Sequence, residues 1–256
     1  MFPLRDENPT ELTPFITFLF IAANVLAWFT VQGMGQGEAF LASLCRFGSI
    51  PGEITAAIPP GTRVPLGPSA ACTVGGLTWE TVLTSMFMHG SWMHLIGNMW
   101  FLWVFGNNIE DSMGHGRFVL FYLLTGALAS AAHIISDPGG AVPTVGASGA
   151  ISGVMGGYLL LYPRVRVHTL FFFFIFIRVI PIPAWVMLGY WFLIQLWLGA
   201  GTIGQGQSGG VAFWAHAGGF VAGLVLIRLF DRAGLVDAKR AGRRLSPEEV
   251  RELGWF

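Results

Sequence analysis

Three groups of residues in this sequence have the types and spacing that acyl-transfer chemistry requires. Ser148 stands in Gly146-Ala147-Ser148-Gly149 at the head of one apolar stretch. His216 sits inside another, between Phe213-Trp214-Ala215 and Ala217-Gly218-Gly219. Polar side chains at membrane depth are costly unless they are hydrogen-bonded or functional. A serine hydroxyl becomes a nucleophile when an imidazole takes its proton. The third group is His89-Gly90-Ser91-Trp92-Met93-His94-Leu95-Ile96-Gly97-Asn98. Its His94 and Asn98, at i and i+4, share one helix face. With the backbone N–H of Ser148 they could donate to the oxyanion of a tetrahedral intermediate.

Each residue also has a plainer reading. Ser148, Gly149, Ser152, Gly153, Gly156 and Gly157 form the kind of small-residue surface that lets membrane helices approach closely. His94 and Asn98 would then be an interhelical polar contact. The glycines connect the two readings, because Gly219 and Gly223 lie on the face of His216 and form a Gly-xxx-Gly stripe. That stripe would press His216 against another small-residue helix, and the helix of Ser148 is the one lined with glycine. Close backbone contact is what brings a short serine within reach of an imidazole. The nucleophile elbow of soluble hydrolases does not fit, since Ala150 occupies its last glycine position and no strand precedes it.

The elements that must carry these residues follow from composition. The 256 residues are 54% hydrophobic and 11% charged, with mean hydropathy +0.62. Soluble domains carry about 25% charged residues, so an integral membrane protein is expected. Net charge is zero and says nothing of partners; no nucleic-acid partner is expected. Residues 1–13 hold Asp6, Glu7 and Glu11 against Arg5, with no clear cleavage site, so the first apolar run reads as a retained helix.

A span needs roughly 20 apolar residues. Five stretches qualify, at about 14–32, 92–106, 117–136, 146–162 and 211–230. The second can extend back through Met88 and forward towards Glu110. In the run 168–200, Arg178 and Pro181-Ile182-Pro183 interrupt the pattern, which places a sixth helix at about 183–200 and a hairpin or interfacial segment at Leu170–Ile177. Two short helices are the alternative there. Six spans put both termini, and 12 of the 14 Lys and Arg residues, on one side, leaving only Arg46 and Arg63 opposite. By the positive-inside bias that side is cytoplasmic. Ser148, His216 and the His94 group then lie at one depth near the outer ends of their helices, within about 10 Å of the outer surface at 1.5 Å per residue.

The loop from about 33 to 80, rich in Pro and Gly, should be ordered by packing rather than by regular structure. Its Cys45 and Cys72 are equally open to pairing, if the loop faces an oxidising compartment, or to standing free. The basic tail should hold a short helix starting at Ser246-Pro247-Glu248-Glu249.

Together the three motifs resemble the rhomboid family of intramembrane serine proteases, over about 14–230. His89, His94 and Asn98 match His-x-x-x-x-His-x-x-x-Asn, Gly146 to Gly149 match Gly-x-Ser-Gly, and Ala215, His216, Gly219 and Gly223 match Ala-His-x-x-Gly-x-x-x-Gly. The resemblance implies an all-α membrane protein, a bundle of six transmembrane helices with a long loop between the first two. Its domains would be a cytoplasmic segment 1–13, a protease domain 14–230 and a basic cytoplasmic tail 231–256. It implies Ser148 as nucleophile and His216 as general base, with His94, Asn98 and the Ser148 amide as the oxyanion site. His89, Gly146, Gly149 and Gly219 would support them, and Glu110 would be structural. The implied substrates are single-span proteins in the bilayer of the cell membrane, with no metal and no cofactor; the sequence has neither His-Glu-x-x-His nor a phosphate loop.

Two departures stand out. Many members carry an aromatic residue four positions after the serine to stack on the histidine, and here that position is Ser152; the family's Trp-Arg loop pair is also absent. No carboxylate lies in a helix core beside His216, so a dyad is expected, with the imidazole oriented by some other side chain, such as an aromatic from a neighbouring helix. Two other classes compete. A catalytically inactive relative is disfavoured by the intact Ser148 and His216. A transporter is disfavoured by the lack of inverted repeats with broken helices.

Overall fold

The computed structural model describes residues 1–67, 70–76, 78–173, 176–201 and 212–252. Among them six helices of 14 to 22 residues form the body: α1 (Phe15–Thr30), α5 (Trp92–Met113), α6 (His115–Ser136), α7 (Ser148–Leu161), α8 (Ala184–Ala200) and α9 (Phe213–Phe230). Shorter helices are α2 (Gly37–Phe47), α3 (Pro51–Ile54) and α4 (Thr81–Thr84), followed late in the chain by α10 (Ala233–Arg240) and α11 (Pro247–Glu252). By length and composition α6 and α9 suffice to cross a membrane, while α1, α7 and α8 are apolar and shorter. Outward faces are apolar, with Trp103, Leu120, Ile135, Leu193, Trp197 and Leu229 exposed.

The helix ends follow local chemistry. Helix α5 starts at Trp92 rather than further back, because Ser91 is extended and its side chain accepts the His94 N–H at 3.1 Å. It runs on past Glu110 to Met113, where Gly114, with φ of 82°, turns the chain into α6. The buried Glu110 carboxylate caps α1, accepting the N–H groups of Ile16 and Thr17 at 2.8 Å and the Thr17 hydroxyl at 2.7 Å. In the tail, the Ser246 hydroxyl accepts from Glu249 N–H at 3.3 Å, and the Glu249 carboxylate accepts from Ser246 N–H at 2.8 Å. This is a capping box, at the position expected for the short helix.

Two small sheets depart from the all-α expectation. Strands β2 (Arg63–Pro65) and β3 (Ala71–Thr73) form a hairpin in the long loop, which also carries α2 and α3 and so is more regular than expected. Cys45 of α2 and Cys72 of β3 are joined in a disulfide. Pro68, in the same loop, lies outside the described residues. The second sheet has the order β1-β4-β5, all antiparallel, from β1 (Phe2–Asp6), β4 (Arg166–Phe173) and β5 (Phe176–Pro183). The interruption at Arg178 and Pro181-Ile182-Pro183 thus falls in a hairpin that ends where α8 begins; residues 174–175 are outside the description. The start of the last apolar stretch, at 211, is also outside it.

Helix α7 is the innermost. Ala150, Ile151, Val154, Met155, Tyr158 and Leu161 are all buried, against α5, α6 and α9. Against α9 it packs backbone to backbone. A Cβ on Gly219 would stand 2.1 Å from Gly149 O, one on Gly223 1.9 Å from Gly153 O, and one on Gly156 2.1 Å from Phe220 O. No side chain separates these two helices at those three points.

Candidate functional site

Ser148 is the first residue of α7 and His216 lies in the first turn of α9, so the glycine contact fixes one against the other. Ser148 Oγ and His216 Nε2 are 2.8 Å apart. The opposite ring nitrogen, Nδ1, lies 2.9 Å from Oε1 of Gln195 on α8. Trp191, one turn earlier on α8, has its ring centroid 5.8 Å from that of His216, tilted by 36°. The Ser152 hydroxyl is committed elsewhere, donating to Ser148 O at 2.6 Å.

On the other side of Ser148 stand His94 and Asn98. Gly90 N–H donates to His94 Nδ1 at 3.3 Å, so the ring proton belongs on Nε2. That Nε2 flanks Gly146, where an added Cβ would meet it at 2.8 Å and Ser148 Oγ at 3.5 Å. Gly146 has a φ of 133°, which favours glycine, and its N–H is tied to Ser85 O at 2.9 Å. Asn98 donates one amide proton to His94 O at 3.0 Å and has a second N–H to give. His89 lies behind, fully buried, its ring edge-on to His94 at 5.1 Å and its backbone clamped by the Gln32 amide through two 2.8 Å bonds.

These groups border one cavity of about 610 Å³. Ser148, His216, His94, Asn98, Gly146 and Gly149 all line it, together with apolar Met93, Phe101, Met155 and Trp191. His89 and Gly219 sit outside it, the first bracing His94 and the second holding α9 against α7. The described lining includes no carboxylate. The geometry suits nucleophilic attack by Ser148 with two flanking donors for negative charge.

Gln195 and Trp191 are the site residues that the motifs do not reveal. A signal for Gln195 exists, since it is the one side-chain amide in the apolar run of α8 and is buried there. A buried polar group in such a helix points to a partner or a function. Trp191 carries no comparable mark, because aromatic residues abound along α8.

Comparison with known proteins agrees with the motifs. Residues 76–232 match the family model described as Rhomboid domain. The Rhomboid protease GluP of Bacillus subtilis (strain 168) is 30% identical over 232 residues, covering 91% of this chain and 37% of that protein. Rhomboid-like protein 11, chloroplastic, of Arabidopsis thaliana is 40% identical over 76 residues, 30% of this chain and 27% of that protein. Rhomboid protein 1, mitochondrial, of Saccharomyces cerevisiae is 30% identical over 151 residues, 57% of this chain and 40% of that protein. The chain spans well under half the length of these curated relatives.

Proposed function

The chain belongs to the rhomboid family, whose members are membrane-embedded helical bundles, and from that premise we propose that it is an intramembrane serine endopeptidase working through Ser148 and His216. The observation that carries the reading is the 2.8 Å approach of Ser148 Oγ to His216 Nε2 at the wall of a cavity. His216 Nε2 takes the Ser148 proton as Oγ attacks the scissile carbonyl. The oxyanion receives hydrogen bonds from His94 Nε2–H, Asn98 and the Ser148 amide. The imidazolium then protonates the departing amine, leaving an acyl-serine that water, activated by the same imidazole, hydrolyses.

The wider setting belongs to the same proposal. Helices α1, α5, α6, α7, α8 and α9 are six spans of a domain covering 14–230. Residues 1–13 and the basic tail 231–256 face the cytoplasm, in a multi-pass protein of the cell membrane. The lysine and arginine distribution supports this orientation. Substrates are single-span membrane proteins cut near the outer edge of the bilayer, where a locally unwound segment exposes its peptide bond.

The test is covalent labelling of the purified protein by a fluorophosphonate, alongside cleavage of a reconstituted single-span substrate. Ser148→Ala and His216→Ala should each abolish both signals and leave the melting temperature in detergent unchanged. Cleavage that survives in Ser148→Ala refutes the mechanism.

A further inference from the structure

We infer that Gln195 is the positioning residue for His216, so that the reacting pair is extended to Ser148–His216–Gln195 by an uncharged third member. This rests on the serine–histidine reading above. The amide is 8% exposed within the apolar helix α8, where an unbonded polar group would be costly. Two bonds to described residues fix its sense. Nε2 donates to Trp191 O at 3.5 Å, and Oε1 faces His216 Nδ1 at 2.9 Å. An amide oxygen only accepts, so Nδ1 must carry the proton, and Nε2 is left with the lone pair that Ser148 needs.

One helix therefore supplies both constraints on the ring. Gln195 selects the tautomer, and Trp191, a turn away, limits rotation by standing 5.8 Å from the imidazole. Ser152 has no part in this, since its hydroxyl is bonded to Ser148 O. The titratable groups that act on the ring are His94 from α5 and His133 from α6; α7 and α8 carry no carboxylate, lysine, arginine or other histidine. A carboxylate in the place of Gln195 would orient the ring equally well, but it would bury a charge in the membrane. It would also stabilise the imidazolium before any substrate arrives. The amide orients without doing either.

The experiment is the pH dependence of fluorophosphonate labelling in the full chain, for wild type, Gln195→Leu and Gln195→Glu. Gln195→Leu should slow labelling about 10- to 100-fold with an unchanged melting temperature, because the ring loses its tautomer preference. Gln195→Glu should recover labelling at high pH, with its acid limb moved up by about one pH unit or more as the carboxylate favours the protonated ring. Trp197→Leu, on the exposed side of the same helix, should label at the wild-type rate.

Wild-type labelling in Gln195→Leu overturns the proposal. So does an unmoved acid limb in Gln195→Glu, which would reduce Gln195 to a packing residue. If the leucine variant does not fold, the near-isosteric glutamate variant decides alone. Labelling that persists in Ser148→Ala instead defeats the serine–histidine reading, whatever the Gln195 variants do.

Discussion

Adding a single methyl group at Gly219 should disable the site without touching either reacting residue. The Cβ of Gly219→Ala would lie 2.1 Å from Gly149 O and 3.2 Å from the Cβ of Ala129. Neither neighbour can swing aside, since the first is helix backbone and the second a methyl on α6. Ordinary contact begins at 3.4 Å, so α7 and α9 must part locally by roughly 1.3 Å, the kind of overpacking that costs about 1–3 kcal/mol. Gly149 adjoins Ser148, and Gly219 is one turn from His216, so most of that displacement reaches the pair. Their 2.8 Å contact opens to about 4 Å, beyond hydrogen-bonding range. A misplacement of about 1 Å costs on the order of 10²-fold in rate. The assay is fluorophosphonate labelling with thermal unfolding of the same sample. A variant that labels at the wild-type rate would refute the claim that backbone contact sets the Ser148–His216 distance.

Three further outcomes are expected. Asn98→Ala should slow substrate cleavage by about 10²–10³-fold without abolishing it, as for one lost oxyanion donor; an unchanged rate in single-turnover assays would remove Asn98 from that role. Glu110→Ala strands the capped amides of Ile16 and Thr17 and should lower stability in denaturant titrations by about 3 kcal/mol, so a wild-type midpoint would contradict the capping account. Burial pushes the Asp6 carboxyl up from 3.8 to about 6, against the hydrogen bond from Tyr158 and the charge of Lys239, which pull it down. The folded protein holds that proton more tightly than the unfolded chain does. Its stabilising contribution is therefore complete below about pH 4 and lost as pH rises through about 6, by up to roughly 3 kcal/mol. Melting curves of Asp6→Asn should lack this step, and parallel pH profiles for the two proteins would argue against it.

How far the sequence could be read depended on how local the determining interactions are. Apolar runs bounded by charge located the helices, because burial and turn chemistry act over a few residues. Arg178 and the two prolines marked where α8 could not begin, but the hairpin expected at Leu170–Ile177 runs on through them to Pro183. The start of α5 was less legible, since the Ser91 cap prevails over an apolar pattern that continues back through Met88. Strand β1 left no trace in its own residues. It exists because β4, at Arg166–Phe173, offers an edge to pair with, and no local pattern encodes a partner that far along the chain. At the candidate site, Ser148, His216, His94 and Asn98 stood out as polar residue types in or beside apolar runs. Gln195, a lone amide in an apolar run, was visible by type as well, but no spacing tied it to His216, which lies on a different helix. The absence of an aromatic at Ser152 signalled that some other group must hold the imidazole, without saying which.

The bond between Cys45 and Cys72 has a practical side. Cys45 lies four residues before Ser49, and Ser49 and Thr144 exchange both backbone hydrogen bonds, at 2.9 and 2.8 Å. Thr144 precedes by two residues the Gly146 turn that shapes the space between His94 and Ser148. Dithiothreitol in a purification buffer would unfasten α2 from β3 and slacken the anchor on which that turn hangs. Preparations of this protein should therefore be kept free of thiol reductants. Activity lost to them should return on reoxidation, in proportion to the disulfide re-formed.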